Sequence, residues 1–357
     1  RKHAQKAINF LSPLSLDDLQ DINSATISAI QSMGITFRVY QDESKTNDNR
    51  VWPLDFIPRL IKKDEWKLVE KGLIQRVKAL NLFINDVYNK QEFLNKNPVL
   101  RDLVLDSTNF LPECMGITPK NKVWSNICGT DLIRDHNGNF FVLEDNLRVP
   151  SGVAYMLENR NIMKRVIPEL FNSYEVHPID DYPSQLYQCL CDASFSTNQK
   201  KTIVVLTPGV FNSAYFEHSY LAQQMGVELV EASDLSVSRS GNVVMKTING
   251  PKRIDVIYRR VDDIYLDPKT WLKSSTLGIP GIYKSWKNKK IAIVNAPGSG
   301  VADDKAVYAY VPKMIKFFLN ERPIISQIKT YVCAIKKELD YVLNNICLLY
   351  TSDAADE

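Results

Sequence analysis

Four short apolar runs, rich in β-branched residues, constrain the fold of this chain more than any other feature. They are Ile203–Leu206, Val227–Val230, Val256–Tyr258 and Ile291–Val294, with loops and helical stretches between them. A strand that is apolar along its whole length is covered on both faces, as in a mainly parallel sheet flanked by helices. The second half of the chain therefore reads as an α/β layer. Ser236 to Thr247 reads as an inserted hairpin turning at Ser240-Gly241. The polar, irregular stretch Pro178 to Lys200 is a candidate boundary.

The first half reads as a scaffold. Ser15 to Met33 is predicted helical, with Ser15 and Asp18 as a capping box and Gly34 as the stop. Ile35 to Tyr40 alternates like a strand, and Gln41 to Arg50 is a polar loop. Asp64 to Tyr88 is predicted helical, with Trp66, Leu73, Val77, Leu80 and Ile84 on one stripe. Val153 to Asn172 is a further helical stretch. The 357 residues allow two or more domains. Net charge is +3 with both signs interspersed, which argues against nucleic-acid and membrane-surface partners. No apolar run is long enough to cross a membrane, and no signal peptide is visible. The six cysteines lack zinc spacing and read as reduced thiols of a cytoplasmic protein.

Asn137-Gly138 signals a two-residue hairpin. If those residues form the loop, His136 pairs with Asn139 and Asp131 lies opposite Glu144. Alternation then places Asn146, Asp135, Ile133, Phe140 and Val142 on the same face. Opposed carboxylates repel. One protonates, a basic side chain inserts, or a hard cation sits between them; alternatively the hairpin is exposed and its acids are solvated. Two carboxylates and an amide oxygen suit Mg²⁺.

Asp131 with Glu144-Asp145-Asn146 resembles the metal-binding hairpin of ATP-grasp ligases. That resemblance implies Mg²⁺ on Asp131, Glu144 and Asn146, held against the β- and γ-phosphates of ATP. It also implies that the turn Asn146–Gly152, with Ser151 and Gly152, contacts the acceptor substrate. Arg148 is a candidate clamp for a carboxylate or acyl phosphate; a salt bridge to Asp145 or Asp131 is the competing reading.

Ile291 to Lys305 reads as strand, Gly-rich loop and helix start, without a P-loop or dinucleotide signature. Gly298 and Gly300 allow a close backbone approach to a ligand, or simply a tight turn. Asp304-Lys305 resembles the Asp-Lys step of ATP-grasp proteins, which assigns Asn295, Gly298, Gly300, Asp304 and Lys305 to ATP binding. Ordinary ATP-grasp chains place this step before the metal hairpin. Here it follows by about 160 residues, which a circular permutation explains. Gly34-Ile-Thr-Phe, Leu54–Pro58, Glu65-Trp66, Gln75-Arg76, Gly129–Leu132, Leu143–Val153, Ser213–His218 and Tyr258–Asp263 then identify the chain as similar to the circularly permuted ATP-grasp type 2 family.

The resemblance implies an α/β (α+β) fold of the circularly permuted ATP-grasp kind. Residues 1–177 would carry the scaffold and metal hairpin, 178–325 an α/β substrate and nucleotide subdomain, and 326–346 the start of an ATP lid. Cys347 to Glu357 reads as translated sequencing adapter, so the chain reads as a fragment of its parent, itself inactive. The implied parent is an ATP- and Mg²⁺-dependent carboxylate–amine ligase that forms an amide through an acyl phosphate. Its partners would be a small-molecule or peptide carboxylate and an amine. Catalytically idle interaction partner and plain nucleotide sensor are the other readings. Arg259 and Arg260 end a strand and are candidate anion grips, oriented by Asp262, or else ion pairs with their neighbours. Glu217 and His218 are candidate substrate contacts; a buried structural histidine is the competing reading.

Overall fold

The computed structural model describes residues 4–37 and 50–349. It contains two compact units, each assembled from two separate stretches: Arg1–Trp66 with Val149–Asn295, and Lys67–Arg148 with Ala296–Glu357. Residues 38–40 of the predicted strand, 41–49 of the predicted polar loop and 350–357 of the adapter-like stretch lie outside the described residues. Among the described residues no helix is long and apolar enough to cross a membrane, and no cysteine is in a disulfide.

The first unit is built on a four-stranded, wholly parallel sheet. Its order is Ala292–Val294, Val256–Arg259, Ile203–Leu206, Glu228–Val230. The predicted apolar runs supply all four strands, and the two central ones are buried at every position. Tyr182–Ala193 and Tyr215–Met225 are helices of the same unit. The helix Leu16–Ser32 begins at the predicted box: the Ser15 hydroxyl accepts from Asp18 N, and the Asp18 carboxylate accepts from Ser15 N. The inserted hairpin is present as Leu235–Val237 paired with Val243–Met245, its turn closed by Gly241 N donating to Ser238 O.

The second unit centres on a three-stranded sheet. Ser326–Gln327 runs parallel to Phe140–Asn146, which pairs antiparallel with Gly129–Arg134. Helices Lys63–Val87, over its part within this unit, and Lys305–Met314 supply Val69 and Tyr308 to the core beneath that sheet, with Val142 and Ile325. The buried face of the long helix differs from the predicted stripe. Leu80 and Ile84 are buried as expected, but Trp66 is 49% exposed and Arg76 is 1% exposed. A buried arginine rotates the covered face toward Val69, Gly72, Arg76 and Ala79.

Gly72 lets this helix reach the parallel strand. A Cβ at that position would lie 2.7 Å from Ile325 Cβ. Gly72→Ala is therefore expected to cost about 1–3 kcal/mol through overpacking. A shift in the urea midpoint with an unchanged slope checks this.

Candidate functional site

The hairpin turn differs from the expected two-residue loop. Asp135, not His136, closes it: Asp135 N donates to Asn139 O, and Gly138 N donates to Asp135 O. The Asp135 carboxylate accepts from Asn137 N and Asn139 N, and Gly138 supplies φ +92°. The side chain of Asp135 thus stabilises a three-residue turn that competes with the two-residue form. A bulge between Asp131 and Leu132 on one strand, with Leu143 as the extra residue on the other, restores the register. Asp131 lies opposite Glu144, while Leu132 lies opposite Val142.

The bulge has a chemical consequence, because it changes which residues share a face. Val142, Leu132 and Phe140 pack into the core with Val69, Tyr308 and Ile325. Asp131 and Glu144 occupy the opposite face, with Asn146 two residues on. The expectation that Phe140 and Val142 share the carboxylate face is thereby corrected: an extra residue inverts the alternation between Val142 and Glu144. Asp131 is exposed and Glu144 half-buried.

Asp145 points to the core face, 4% exposed. Arg76 donates from Nε to Asp145 Oδ1 and Oδ2, at 2.9 and 2.8 Å, and from Nη2 to Oδ2 at 2.6 Å. Its Nη1 donates to Gln327 Oε1, and its guanidinium lies 5.2 Å from the centre of the Tyr308 ring. The Tyr308 hydroxyl donates to Val142 O at 2.6 Å, and burial pushes that phenol up to about 12. This assembly ties the hairpin to the helices Lys63–Val87 and Lys305–Met314. The pattern read along the sequence missed it. A charged residue at a helical spacing from Val69 and Leu73 was the available signal, since buried arginine requires a partner.

The two sequence constellations meet in this unit. Lys305 opens its helix, and its ammonium forms an ion pair with Glu144 Oε2. The other oxygen, Glu144 Oε1, accepts from the Asn146 amide at 3.3 Å. Asp304 caps the same helix through Ala306 N at 2.8 Å. Asp303 accepts from Leu147 N at 2.6 Å and lies 3.9 Å from Arg148 Nε. Arg148 thus neighbours Asp303. Gly298 and Gly300 are both close-packed. A Cβ on Gly298 would lie 2.8 Å from the Tyr88 hydroxyl, and one on Gly300 would lie 2.9 Å from Arg148 Cδ.

Asp131, Glu144 and Asn146 offer oxygen donors, the chemistry that a hard divalent cation takes. Among the described residues no group of three or more His, Cys, Asp or Glu could hold a metal, so this set relies on the Asn146 amide oxygen. The ammonium of Lys305 supplies the counter-charge that Glu144 needs. A cation bound here would take over that role, and the donor set fits one.

The remaining expected residues lie in the first unit. Arg259 is 1% exposed. It pairs with Asp263 at 2.8 Å and donates to Asn295 O at 2.7 Å. Arg260 pairs with Glu217 at 3.1 Å and donates to Pro150 O and the Tyr258 hydroxyl. Glu217, fully buried, accepts from Gly152 N and Ala154 N at the start of helix Val153–Val166. Ser151 precedes that turn and is exposed, and Asp262 precedes the short helix Asp263–Leu266. The two guanidiniums hold internal ion pairs, Arg259 with a sequence neighbour and Arg260 with the distant Glu217.

His218 is 2% exposed, with Nδ1 2.9 Å from the Thr207 hydroxyl. Burial, with the nearby charge of Arg260, lowers its pKa to about 3. In the unfolded chain the imidazole titrates near the ordinary ~6.5. The unfolded state therefore binds the extra proton as pH falls below that value. Stability is fully present above pH ~6.5 and is lost as pH falls toward 3. Lowering pH from 7.5 to 5 is expected to remove about 2 kcal/mol through this group. Urea midpoints of wild type and His218→Asn at both pH values check this; the variant should lack that increment.

Fold and site together define an α/β chain with a carboxylate hairpin beside an Asp-Lys helix start. Residues 58–357 match the family described as circularly permuted ATP-grasp type 2, and the chain belongs to that family. It is 46% identical over 354 residues to an uncharacterized protein of Synechocystis sp., covering 99% of this chain and 73% of that protein. It is 44% identical over 336 residues to an uncharacterized protein of Mycobacterium tuberculosis, covering 94% and 60%. A Frankia casuarinae protein called putative glutamate–cysteine ligase 2-2 is 37% identical over 316 residues, covering 88% of this chain and 36% of that protein. The chain thus spans only part of each relative. Among solved structures, a glutathione synthetase-like effector from Globodera pallida, in its apo form, aligns with a TM-score of 0.57 at 12% identity. The alignment covers 86% of this chain and 69% of that one and speaks to fold alone.

Proposed function

We propose that the protein to which this chain belongs is an ATP- and Mg²⁺-dependent carboxylate–amine ligase. The observation that carries this reading is the ion pair between Lys305 and Glu144. It brings the Asp-Lys helix start onto the carboxylate hairpin although the two are far apart in sequence. Family membership supports this reaction class, in which a carboxylate would be phosphorylated by ATP and an amine would then displace phosphate to leave an amide. The name of the Frankia relative points the same way, for a protein of which this chain covers about a third.

Asp131, Glu144 and Asn146 would hold Mg²⁺, which when bound neutralises charge on phosphate oxygens. Released from Glu144, Lys305 would present its ammonium to the same phosphates. Arg148, one-third exposed and 3.9 Å from Asp303, would present its guanidinium to the carboxylate being activated. Asp304 fixes the helix that carries Lys305. The side chains only bind, orient and neutralise, so no nucleophilic residue is required.

Hydroxylamine replaces the unknown amine in a direct test, because it converts an acyl phosphate into a hydroxamate. The protein is incubated with ATP, Mg²⁺, hydroxylamine and a panel of amino acids and short peptides. Hydroxamate that requires ATP, Mg²⁺ and one class of acid supports the ligase. ADP release indifferent to any acid would replace it with a nucleotide hydrolase. One observation favours an idle interaction partner instead: Glu144 is already neutralised by Lys305 without a cation.

A further inference from the structure

The parallel sheet of the first unit reverses its winding between Ile203–Leu206 and Val256–Arg259. In open α/β sheets, ligands bind beyond the carboxyl ends of the strands at such a point. Here those ends run into Thr207-Pro208-Gly209 and Arg260. The Thr207 hydroxyl accepts from Gly209 N at 3.2 Å and contacts His218 Nδ1 at 2.9 Å. Its own proton has no other acceptor, so the network assigns Nδ1 as acceptor and leaves the imidazole proton on Nε2. Among the described residues nothing meets Nε2. Arg260 Nε is buried without an acceptor. Buried N–H groups without partners are rare and costly.

Charge decides what such donors take. Three carboxylates, Glu217, Asp262 and Asp263, follow or face two guanidiniums, Arg259 and Arg260. The imidazole adds no positive charge, because burial and Arg260 hold its pKa near 3. Burial likewise raises the phenols of Tyr182 and Tyr258, which stay neutral. An incoming anion would meet an excess of negative charge. Directly after Gly209, whose φ is +103°, Val210 and Phe211 are 48% and 76% exposed.

We infer that this strand end binds an uncharged amide, its carbonyl accepting from His218 Nε2 and its apolar neighbour resting on Val210 and Phe211. A peptide segment or an amidated amino acid has this chemistry; a free amino-acid carboxylate does not. The inference rests on the ligase reading only for the role of the ligand as a substrate, not for its binding.

3-Phenylpropanamide and 3-phenylpropanoate are the probes, followed by long-range ¹H–¹⁵N correlation of the histidine rings and by calorimetry. The free protein should show His218 protonated at Nε2, and the amide should shift that signal saturably. The carboxylate should bind about tenfold more weakly, the size of one hydrogen bond traded for repulsion. His218→Leu should abolish amide binding. Phe211→Ser, an exposed change that keeps the fold, should weaken it about tenfold. Equal or tighter binding of the carboxylate, an unmoved His218 signal, or an indifferent Phe211→Ser overturns the inference. If Mg²⁺-dependent nucleotide binding persists while the amide fails, this inference alone falls; the reverse result removes only the ligase reading.

Discussion

Arg76→Met is expected to lower the unfolding free energy of the second unit by about 3–5 kcal/mol, the cost of leaving a buried charge without its partner. Asp145 is 4% exposed and accepts three of the hydrogen bonds that the guanidinium makes. The methionine would fill much of the volume, so the loss is electrostatic rather than a cavity. Arg76→Met combined with Asp145→Leu should recover a large part of it, because an apolar pair of similar volume often matches a buried ion pair. Urea denaturation of wild type and the two variants checks this; equal losses in the single and double variants would mean that packing, not charge, holds the hairpin. The effect reaches the candidate site. Asp145 is the immediate neighbour of both Glu144 and Asn146, and its anchoring keeps them on the face away from the core.

The strands of the parallel sheet were legible because full burial leaves an unbroken apolar run, and all four are present. The capping box at Ser15 and the opposition of Asp131 to Glu144 were legible for similar local reasons. The face of the hairpin was not. Asn137-Gly138 suggested a two-residue loop, and only the Asp135 side chain explains the longer one. The bulge at Leu143 then offsets that change, so the right carboxylates meet by a different register. The pairing of Lys305 with Glu144 joins residues remote in sequence, which no spacing rule reveals. The partners of Arg259, Arg260 and Glu217 are long-range choices of the same kind, made by burial.

Asp131→Asn is expected to reduce ATP- and Mg²⁺-dependent hydroxamate formation by about 10²–10³-fold. The substitution keeps the shape and removes one of the two charges available to a cation. Asp131 is exposed, so the fold should not change, and an unaltered urea midpoint separates a site effect from a folding effect. Lys305→Met should also lower the rate, because in the proposed site its ammonium would meet phosphate once it leaves Glu144. A rate for Asp131→Asn within a factor of about two of wild type would move the metal site elsewhere.

Calorimetric titration of ADP, with and without Mg²⁺, into wild type and Asp131→Asn tests the central claim most directly. If the hairpin carboxylates and the Lys305 helix form one metal–nucleotide site, Mg²⁺ should tighten ADP binding to wild type by about tenfold or more and do little for the variant. ADP binding that ignores both Mg²⁺ and residue 131 would contradict it.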